Sequence, residues 1–429
     1  MNRANLSSVF QRPILAGAKY GSIAGVIATW SISTAIAASE LELGLPISTF
    51  YTVIGISLGS NDLITSAYLG FALHLATGTI LGAIIGALVV KIEARKNITN
   101  IFRPSRSILM GVATGVLVWL ILFLPVSVIL IQPSIGSIAQ ILGSGQEDAM
   151  LSVFDANSLG RSFMGIVMSA IAFHVIWGAI FGFIISSFLR IKSHSSLLSA
   201  SSPSTKQNYQ FPRSSLSIVY FGLVAGLISS LAISGLILLV EKINSLPVGT
   251  FYYVLVSALT NSYNSNTEGV VITGLALHLA AGSFLGFIIS IPFVLLRKVH
   301  ENDTIEKASF MQKYSSVYGI TFGFGLWLLI FLPITFMIVI PLLESFELQD
   351  IIIRQRVPTG QVAETTFYGL LSMMDRIIYG ALAFNIFYGL LTAILLQSFS
   401  EKYSVINIRN QRQNEADLIR GPDSNNNSR

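Results

Sequence analysis

A chain of 429 residues in which 52% are hydrophobic and only 11% are charged is not an ordinary soluble domain, because such domains carry about 25% charged residues. The composition indicates an integral membrane protein. The absence of cysteine excludes disulfides, thiolate metal sites, iron–sulfur clusters and cysteine nucleophiles. The net charge of +5 is unevenly distributed, in a way that indicates membrane orientation and not nucleic-acid binding.

Eight apolar stretches follow a short polar segment, residues 1–13, that lacks the cleavage pattern of a removable signal peptide. The first helix is therefore expected to be retained. Each stretch has about 20 residues or more, enough to cross a hydrocarbon core of roughly 30 Å. The sequence thus predicts an all-α integral membrane protein with eight transmembrane helices, near residues 14–38, 67–90, 107–132, 163–189, 215–240, 271–296, 316–342 and 377–397.

Lysine and arginine alternate between the two predicted sides of the membrane. Because cytoplasmic loops carry the excess of these residues, both termini are predicted to be cytoplasmic. The rich segments hold 2, 5, 4, 4 and 5 of them, in residues 1–13, 91–106, 190–213, 297–313 and 400–429. The poor connections hold 0, 1, 1 and 3, in residues 39–66, 133–161, 241–270 and 343–376.

The chain divides into two membrane halves. Residues 1–191 are predicted to form a first four-helix membrane repeat, and residues 214–404 a second. Residues 192–213 are polar and serine-rich, and residues 405–429 are rich in asparagine and serine. These compositions predict a disordered cytoplasmic linker and a disordered cytoplasmic tail.

Short motifs recur between the halves, which indicates a tandem duplication. Because each half contributes an even number of spans, the two copies are predicted to share one orientation and to form a parallel repeat. The repeated motifs are LPISTFY at 45–51 and LPVGTFY at 246–252, ALHLA at 72–76 and 276–280, and FLP at 123–125 and 331–333.

A stripe of small residues recurs at every fourth position in four of the predicted helices, so its members share one helix face. Each stripe carries one larger polar residue, which is histidine in three copies and asparagine in the fourth. The stripes are Gly70, His74, Gly78, Gly82, Gly86; Ala170, His174, Gly178, Gly182, Ser186; Gly274, His278, Gly282, Gly286, Ser290; and Ala381, Asn385, Gly389, Ala393.

The helix before each stripe carries a Gly-x-x-x-Gly pair. In lipid, small residues that let backbones approach build helix interfaces. Gly25 and Gly78 fall at similar depth when about 1.5 Å is counted per residue, so each pair is predicted to pack on the stripe that follows it. The predicted repeating unit is a two-helix hairpin, with the pairs Gly21/Gly25, Gly111/Gly115, Gly222/Gly226 and Gly319/Gly323.

Two of the outer connections contain apolar stretches that are too short to span, residues 45–58 and 246–259. A proline near the start and paired aromatic residues suit an interfacial or a re-entrant helix. The interfacial alternative is favoured, because re-entrant backbone requires a cover of protein or a water-filled cavity.

The four polar stripe residues, His74, His174, His278 and Asn385, form the candidate polar site, roughly 10–16 Å below the outer surface by helix rise. A packing role is favoured, in which each side chain bonds a group on a facing helix. A polar permeation or substrate site is the second interpretation. A metal or haem site is the weakest, because no intramembrane carboxylate or cysteine stands by as a further ligand. No cofactor or metal is predicted.

Apart from Lys19, near the cytoplasmic end of the first, no predicted span contains a charged residue, which argues against a carboxylate-coupled pump and favours a facilitator or channel. Trp119 and Trp327 each precede a proline by six residues, at Pro125 and Pro333; they are expected to fill core space beside a kink. The sequence carries no Gly-x-Ser-x-Gly elbow, phosphate loop or His-Glu-x-x-His motif, so no enzymatic activity is predicted.

The run LHLATGTILG at 73–82, with the glycine-rich helix before it, resembles the helix pairs of YagU-like prokaryotic inner-membrane proteins. The resemblance implies membrane residence and no particular activity, and Asn385 departs from its pattern. The expected function is a transporter-like or channel-like bundle for a small solute. The alternative is a scaffold or accessory subunit of a larger membrane complex, with the lipid bilayer, a second copy or a complex subunit as partners.

Overall fold

The structure is a computed structural model. It describes ten segments of the chain: residues 13–42, 48–96, 104–132, 156–200, 215–244, 246, 248–260, 267–300, 306–345 and 370–400. These residues are helical apart from short turns, and eight of their helices are long and apolar enough to cross a membrane. The predicted all-α, eight-span architecture is therefore confirmed. Helices suit this setting because every backbone N–H and C=O is bonded within its own segment.

The helices are labelled in chain order. The first half holds α1 (Pro13–Glu42), the short α2 (Thr49–Ser57), α3 (Leu63–Lys96), α4 (Pro104–Val118) and α5 (Ala156–Ala200). The second half holds α6 (Ser215–Ile243), the short α7 (Thr250–Thr260), α8 (Thr267–His300), α9 (Glu306–Leu326) and α10 (Met374–Ser400).

The long helices pack first as sequential hairpins: α1 with α3, α4 with α5, α6 with α8, and α9 with α10. The hairpins then join through α1, α5, α6 and α10, which contact one another and form a central bundle. In the most apolar stretch of each helix, 61%, 50%, 56% and 33% of the residues of these four are buried, against 17–28% in the other four. The centre therefore contains the second-half and first-half helices in equal number.

The core of the central bundle draws on all four of its helices. Ala28, Ile184, Ala225 and Leu395 have no exposed surface, and each comes from a different helix. Ala28, Ile184, Ala225 and Leu395 belong to one continuous apolar cluster. Polar cross-links accompany it, since the indole N–H of Trp177 donates to the hydroxyl of Thr29 over 2.9 Å.

Helices α1 and α6 meet through reciprocal contacts. The Thr34 hydroxyl of α1 donates to the Leu231 carbonyl of α6 over 3.1 Å. Four residues away on each helix, the Trp30 ring covers Gly235 so closely that a side chain there would strike it. When the motifs at 45–51 and 246–252 are aligned, Trp30 and Thr34 correspond to Leu231 and Gly235. The same two positions therefore contact each other in both directions.

Helices α4 and α9 change their winding beside a proline. After α4, π-helical turns span Trp119–Phe123 and Ser127–Ile131 on either side of Pro125. After α9, π-helical turns span Trp327–Phe331 and Thr335–Val339 around Pro333. Proline has no N–H to donate, and the wider turns carry the chain past it within a continuous span.

Of the two segments predicted to be disordered, the linker is helical in its first part and the tail lies outside the described residues. Helix α5 continues to Ala200, so it enters the 192–213 segment that the sequence assigns to a linker. Residues 201–214 and the predicted tail at 405–429 lie outside the described residues. The short apolar stretches at 45–58 and 246–259 contain α2 and α7.

Candidate functional site

The glycine stripes lie inside the hairpins, against the glycine pairs of the preceding helices. A Cβ added at Gly21 would overlap the carbonyl oxygen of Gly82, and a Cβ at Gly82 would overlap that of Gly21. Backbones this close leave no room for any larger side chain. The same facing arrangement joins Gly25 to Gly78, Gly111 to Gly178, Gly182 to Ser107, Gly222 to Gly286, Gly226 to Gly282, and Gly319 to Gly389.

The polar stripe residues lie at these same interfaces. Gly115 faces the His174 carbonyl, and Gly323 faces the Asn385 carbonyl. The Ser230 hydroxyl donates to the His278 carbonyl over 3.2 Å. In each case the facing helix approaches the backbone of the polar residue, which leaves the side chain to find other partners.

A buried glutamate joins the end of α1 to the start of α2. Glu40 is only 4% exposed. Its Oε2 accepts the Ser48 N–H over 2.8 Å, and its Oε1 accepts the Phe50 N–H over 2.6 Å. A carboxylate at a helix N-terminus satisfies donors that the helix itself leaves unpaired, and it complements the helix dipole. Glu40 therefore caps α2 from a neighbouring helix.

The second half repeats this cap. Glu241, at the end of α6, is 5% exposed. Its Oε2 accepts the Gly249 N–H over 2.7 Å, and its Oε1 accepts the Phe251 N–H over 2.6 Å. Ser48 and Gly249 both have a positive φ, at 76° and 97°, a conformation that glycine adopts freely and serine adopts at a cost. The carboxylate thus holds a sharply turned backbone in both halves.

The capped helices lie against the histidines of α3 and α8. Ring centroids of Phe50 and Tyr51 lie 5.8 Å and 5.5 Å from that of His74. Those of Phe251 and Tyr252 lie 5.5 Å and 5.8 Å from that of His278. We call these groups the first capped cluster (Glu40, Phe50, Tyr51, His74) and the second capped cluster (Glu241, Phe251, Tyr252, His278).

Each capped cluster contains a buried imidazole nitrogen without a hydrogen-bond partner among the described residues, and a buried tyrosine hydroxyl that lies beside the hydroxyl of Ser33 or Ser234 without ordinary hydrogen-bond geometry. These are the Tyr51 hydroxyl and His74 Nε2 in the first, and the Tyr252 hydroxyl and His278 Nε2 in the second. Burial raises the pKa of both tyrosines above the ordinary range, and the nearby Ser33 and Ser234 hydroxyls only partly oppose that rise. Both phenols are therefore neutral hydrogen-bond donors at physiological pH.

His174 and Asn385 have a different environment. His174 Nδ1 lies 2.9 Å from the Ala170 carbonyl one turn back in its own helix. The Asn385 amide donates to the Ala381 carbonyl over 2.8 Å in the same way. An amide N–H thus takes the place of the imidazole N–H, which explains how asparagine can occupy the fourth stripe.

The structure therefore does not gather the four polar stripe residues into one site. His74 and His278 each lie in a capped cluster of their own half, whereas His174 and Asn385 bond within their own helices. His174 nevertheless lies near enough to His74 for the two imidazoles to interact electrostatically. Among the described residues, no group of three His, Asp or Glu side chains is placed to hold a metal ion. The arrangement can offer hydrogen bonds to a small molecule at two separate, equivalent places.

The two capping glutamates are not among the site residues predicted from the sequence. The predicted spans end at residues 38 and 240, which places Glu40 and Glu241 in the outer connections. The structure instead extends both helices past these residues and buries them. The sequence does contain a sign of their importance. The alignment that places residues 45–51 on 246–252 also places Glu40 on Glu241.

The central bundle adds buried hydroxyl groups to the polar inventory. Among the described residues, four of these hydroxyls have no hydrogen-bond partner: Ser186, Ser229, Ser234 and Thr392.

Comparison of the chain with protein-family models, curated proteins and solved structures finds no match.

Proposed function

We propose that this multi-pass membrane protein is a non-enzymatic, transporter-like or channel-like helical bundle that passes a small polar solute. The observation that carries the proposal is the capped cluster in each half, with an unpartnered His nitrogen beside a buried Tyr hydroxyl. A buried polar atom without a partner costs about 1–3 kcal/mol, and native proteins contain few of them. Their repetition at equivalent positions favours a transient partner, which a passing solute would supply.

The chemistry of the capped clusters indicates the class of solute. A phenol hydroxyl can donate and accept, and a neutral imidazole nitrogen can accept. The surrounding Phe50 and Phe251 rings offer apolar surface. A small, uncharged molecule that both donates and accepts hydrogen bonds fits this combination, whereas a strongly hydrated ion would lose its water without sufficient replacement.

The proposal includes a parallel tandem duplication with both termini in the cytoplasm of a prokaryotic cell. The reciprocal contacts of Trp30 and Thr34 with α6 support a pseudo-twofold axis near the membrane normal. The alternation of lysine and arginine along the chain supports the orientation. The hairpin-level resemblance to YagU-like proteins belongs to the same proposal and adds membrane residence only.

A flux assay in liposomes tests this function. Purified protein is reconstituted and screened with water, glycerol, urea, ammonia and monovalent ions. We expect flux of at least one uncharged solute above that of empty liposomes, and a loss of about tenfold or more in the double variant His74→Ala, His278→Ala. His174→Asn is the matched control, because asparagine already occupies the equivalent position 385, and it should retain flux. Protein that passes nothing in the whole screen would exclude the proposal.

A second candidate function is a scaffold or accessory subunit of a larger membrane complex. The observation that favours it is the close packing of the central bundle, where Ser186, Ser187 and Ser229 have no exposed surface. A stoichiometric partner that co-purifies in mild detergent, together with an absence of flux, would favour this role. A second copy of the chain as that partner would show as a doubled mass in the same preparation.

A further inference from the structure

Each capping carboxylate links two helices. Glu40 belongs to α1, and the N–H groups that it accepts belong to the start of α2. Each oxygen accepts one backbone N–H, so both oxygens are committed. Glu241 makes the same pair of bonds from α6 to α7. A change at the carboxylate therefore acts directly on the position of the short helix.

Most of the remaining contacts of α2 attach it to α3, and Ile56 also packs with Ile131 and Val167. A Cβ at Gly55 would overlap the Ser66 carbonyl, and a Cβ at Gly70 would overlap the Tyr51 carbonyl. The second half repeats the latter contact between Gly274 and Tyr252. The short helix thus lies along the outer part of the stripe helix, with its aromatic rings over the histidine. It covers the side chain whose Nε2 has no partner.

Addition of a proton changes the cap in a definite way. The protonated oxygen becomes a hydroxyl donor and no longer receives the N–H that it accepted as a carboxylate. The charge is lost as well, and charge-assisted hydrogen bonds are about twice as strong as neutral ones. The attraction between the carboxylate and the helix dipole disappears with it. The short helix then retains only its packing on the stripe helix and on apolar residues of the neighbouring spans.

We infer that Glu40 and Glu241 are two equivalent proton-binding sites, and that proton uptake releases α2 and α7 and uncovers His74 and His278. The inference deepens the proposed function, and only the uncovering of His74 and His278 rests on that function. The buried, unpartnered Nε2 atoms of His74 and His278 beneath the two short helices are the independent sign that these places accept a partner other than protein.

Few other titratable groups face these carboxylates in the described residues. Tyr51 on α2 interacts electrostatically with Glu40, and Tyr252 on α7 does so with Glu241. His74 and His278 approach from α3 and α8 behind the aromatic rings. On α6 itself, Lys242 follows Glu241 directly. Acidification therefore acts on the carboxylates in a setting where the neighbouring phenols are already neutral.

Cysteine labelling of the intact chain tests the inference, because the sequence contains no cysteine that could react in the background. Thr52→Cys on α2 and Ser257→Cys on α7 place a thiol at buried positions, 7% and 1% exposed. Leu58→Cys and Leu259→Cys, at positions 52% and 67% exposed, are references for thiol reactivity at each pH. The measured quantity is the ratio of the buried rate to the reference rate with a water-soluble thiosulfonate.

We expect this ratio to rise about tenfold or more when the pH falls from 8 to 5. Glu40→Gln should hold the Thr52→Cys thiol in the fast state at every pH and leave the Ser257→Cys thiol slow at pH 8. Glu241→Gln should do the reverse. Glu40→Asp keeps the charge but is one methylene shorter, so it should weaken the cap and retain a pH dependence.

A ratio that stays constant between pH 8 and 5 in the two thiol variants would overturn the inference, and this arm needs no substitution of a glutamate. An equal response of both halves to Glu40→Gln would also overturn it. Labelling and flux separate the two proposals. A pH-dependent ratio in a protein without flux leaves the proton sites standing and removes the proposed function, and flux with a constant ratio does the opposite.

Discussion

The two kinds of hairpin in this molecule share one stripe and use its polar residue differently. In the first and third hairpins the stripe carries His74 and His278, whose Nε2 atoms are buried without a partner. In the second and fourth it carries His174 and Asn385, which bond a carbonyl one turn back. The difference shows that equivalent positions on a helix face acquire different chemistry from what covers them.

The short helices account for the difference. Among the described residues, the short helices α2 and α7 lie against the first and third hairpins, where the stripe begins with Gly70 and Gly274. In the other two hairpins the stripe begins with Ala170 and Ala381. The outer parts of those hairpins instead carry an indole bond, from Trp119 to the Val167 carbonyl over 3.0 Å and equivalently from Trp327. Glycine thus occurs where a short helix needs the space.

The largest expected effect comes from placing a methyl group under a short helix. Gly70→Ala and Gly274→Ala would each drive a Cβ into the carbonyl of Tyr51 or Tyr252. Overpacking against backbone costs about 1–3 kcal/mol, so the thermal midpoint in detergent should fall for each variant. In Gly70→Ala, but not in Gly274→Ala, labelling of the Thr52→Cys thiol should also become faster.

Gly380→Ala is the control for this substitution. Gly380 lies in α10 beside Ala381, and a Cβ there would meet no atom within 4 Å. Removal of a helix glycine should then leave stability unchanged or raise it by up to about 1 kcal/mol. Equal destabilisation by all three alanine substitutions would mean that the short helices do not determine where glycine is required.

The amino-acid sequence predicts the spans and misses the caps for a physical reason. Apolar length and the spacing of small residues are local properties, and the eight spans that they predict are confirmed. The bonds of Glu40 join it to residues 8 and 10 positions later, across a turn. Hydropathy places such a residue in a loop, because it scores the residue type alone and contains no information on the two backbone N–H groups that bind the carboxylate.

The division of the polar residues could not be predicted for a related reason. A stripe states which residues share a face, and it does not state whether a third helix covers that face. The short apolar stretches at 45–58 and 246–259 were recognised, but their contact with His74 and His278 depends on the way α2 and α7 fold back along α3 and α8.

An intermediate effect is expected from asparagine at the histidine positions. His74→Asn removes ring contacts with Phe50 and Tyr51, and His174→Asn removes one with Phe123 at 4.9 Å. An aromatic pair is worth about 0.5–1.5 kcal/mol, so His74→Asn should lower the free energy of unfolding by about one pair more. Denaturation in mixed micelles measures both variants, and an equal loss at the two positions would contradict the distinction between the hairpins.

The smallest effect at neutral pH is expected from the buried phenols. Tyr51→Phe with Tyr252→Phe removes hydroxyls that lie beside those of Ser33 and Ser234 without ordinary hydrogen-bond geometry, so stability at pH 7 should change by less than about 1 kcal/mol. Burial raises the folded-state pKa of both tyrosines, whereas the unfolded chain ionises near pH 10. Their contribution is therefore complete below pH 10 and is lost as the pH rises above it.

This alkaline loss gives the phenols a measurable signature. Between pH 10 and 11 the linkage amounts to about 1 kcal/mol for each tyrosine, so the double variant should lose less stability over that interval than the unaltered chain does. Tyr379→Phe, at an exposed position on α10, should follow the curve of the unaltered chain. If the double variant follows that curve too, the two phenols are already hydrated in the folded protein, and the capped clusters are open to water without release of the short helices.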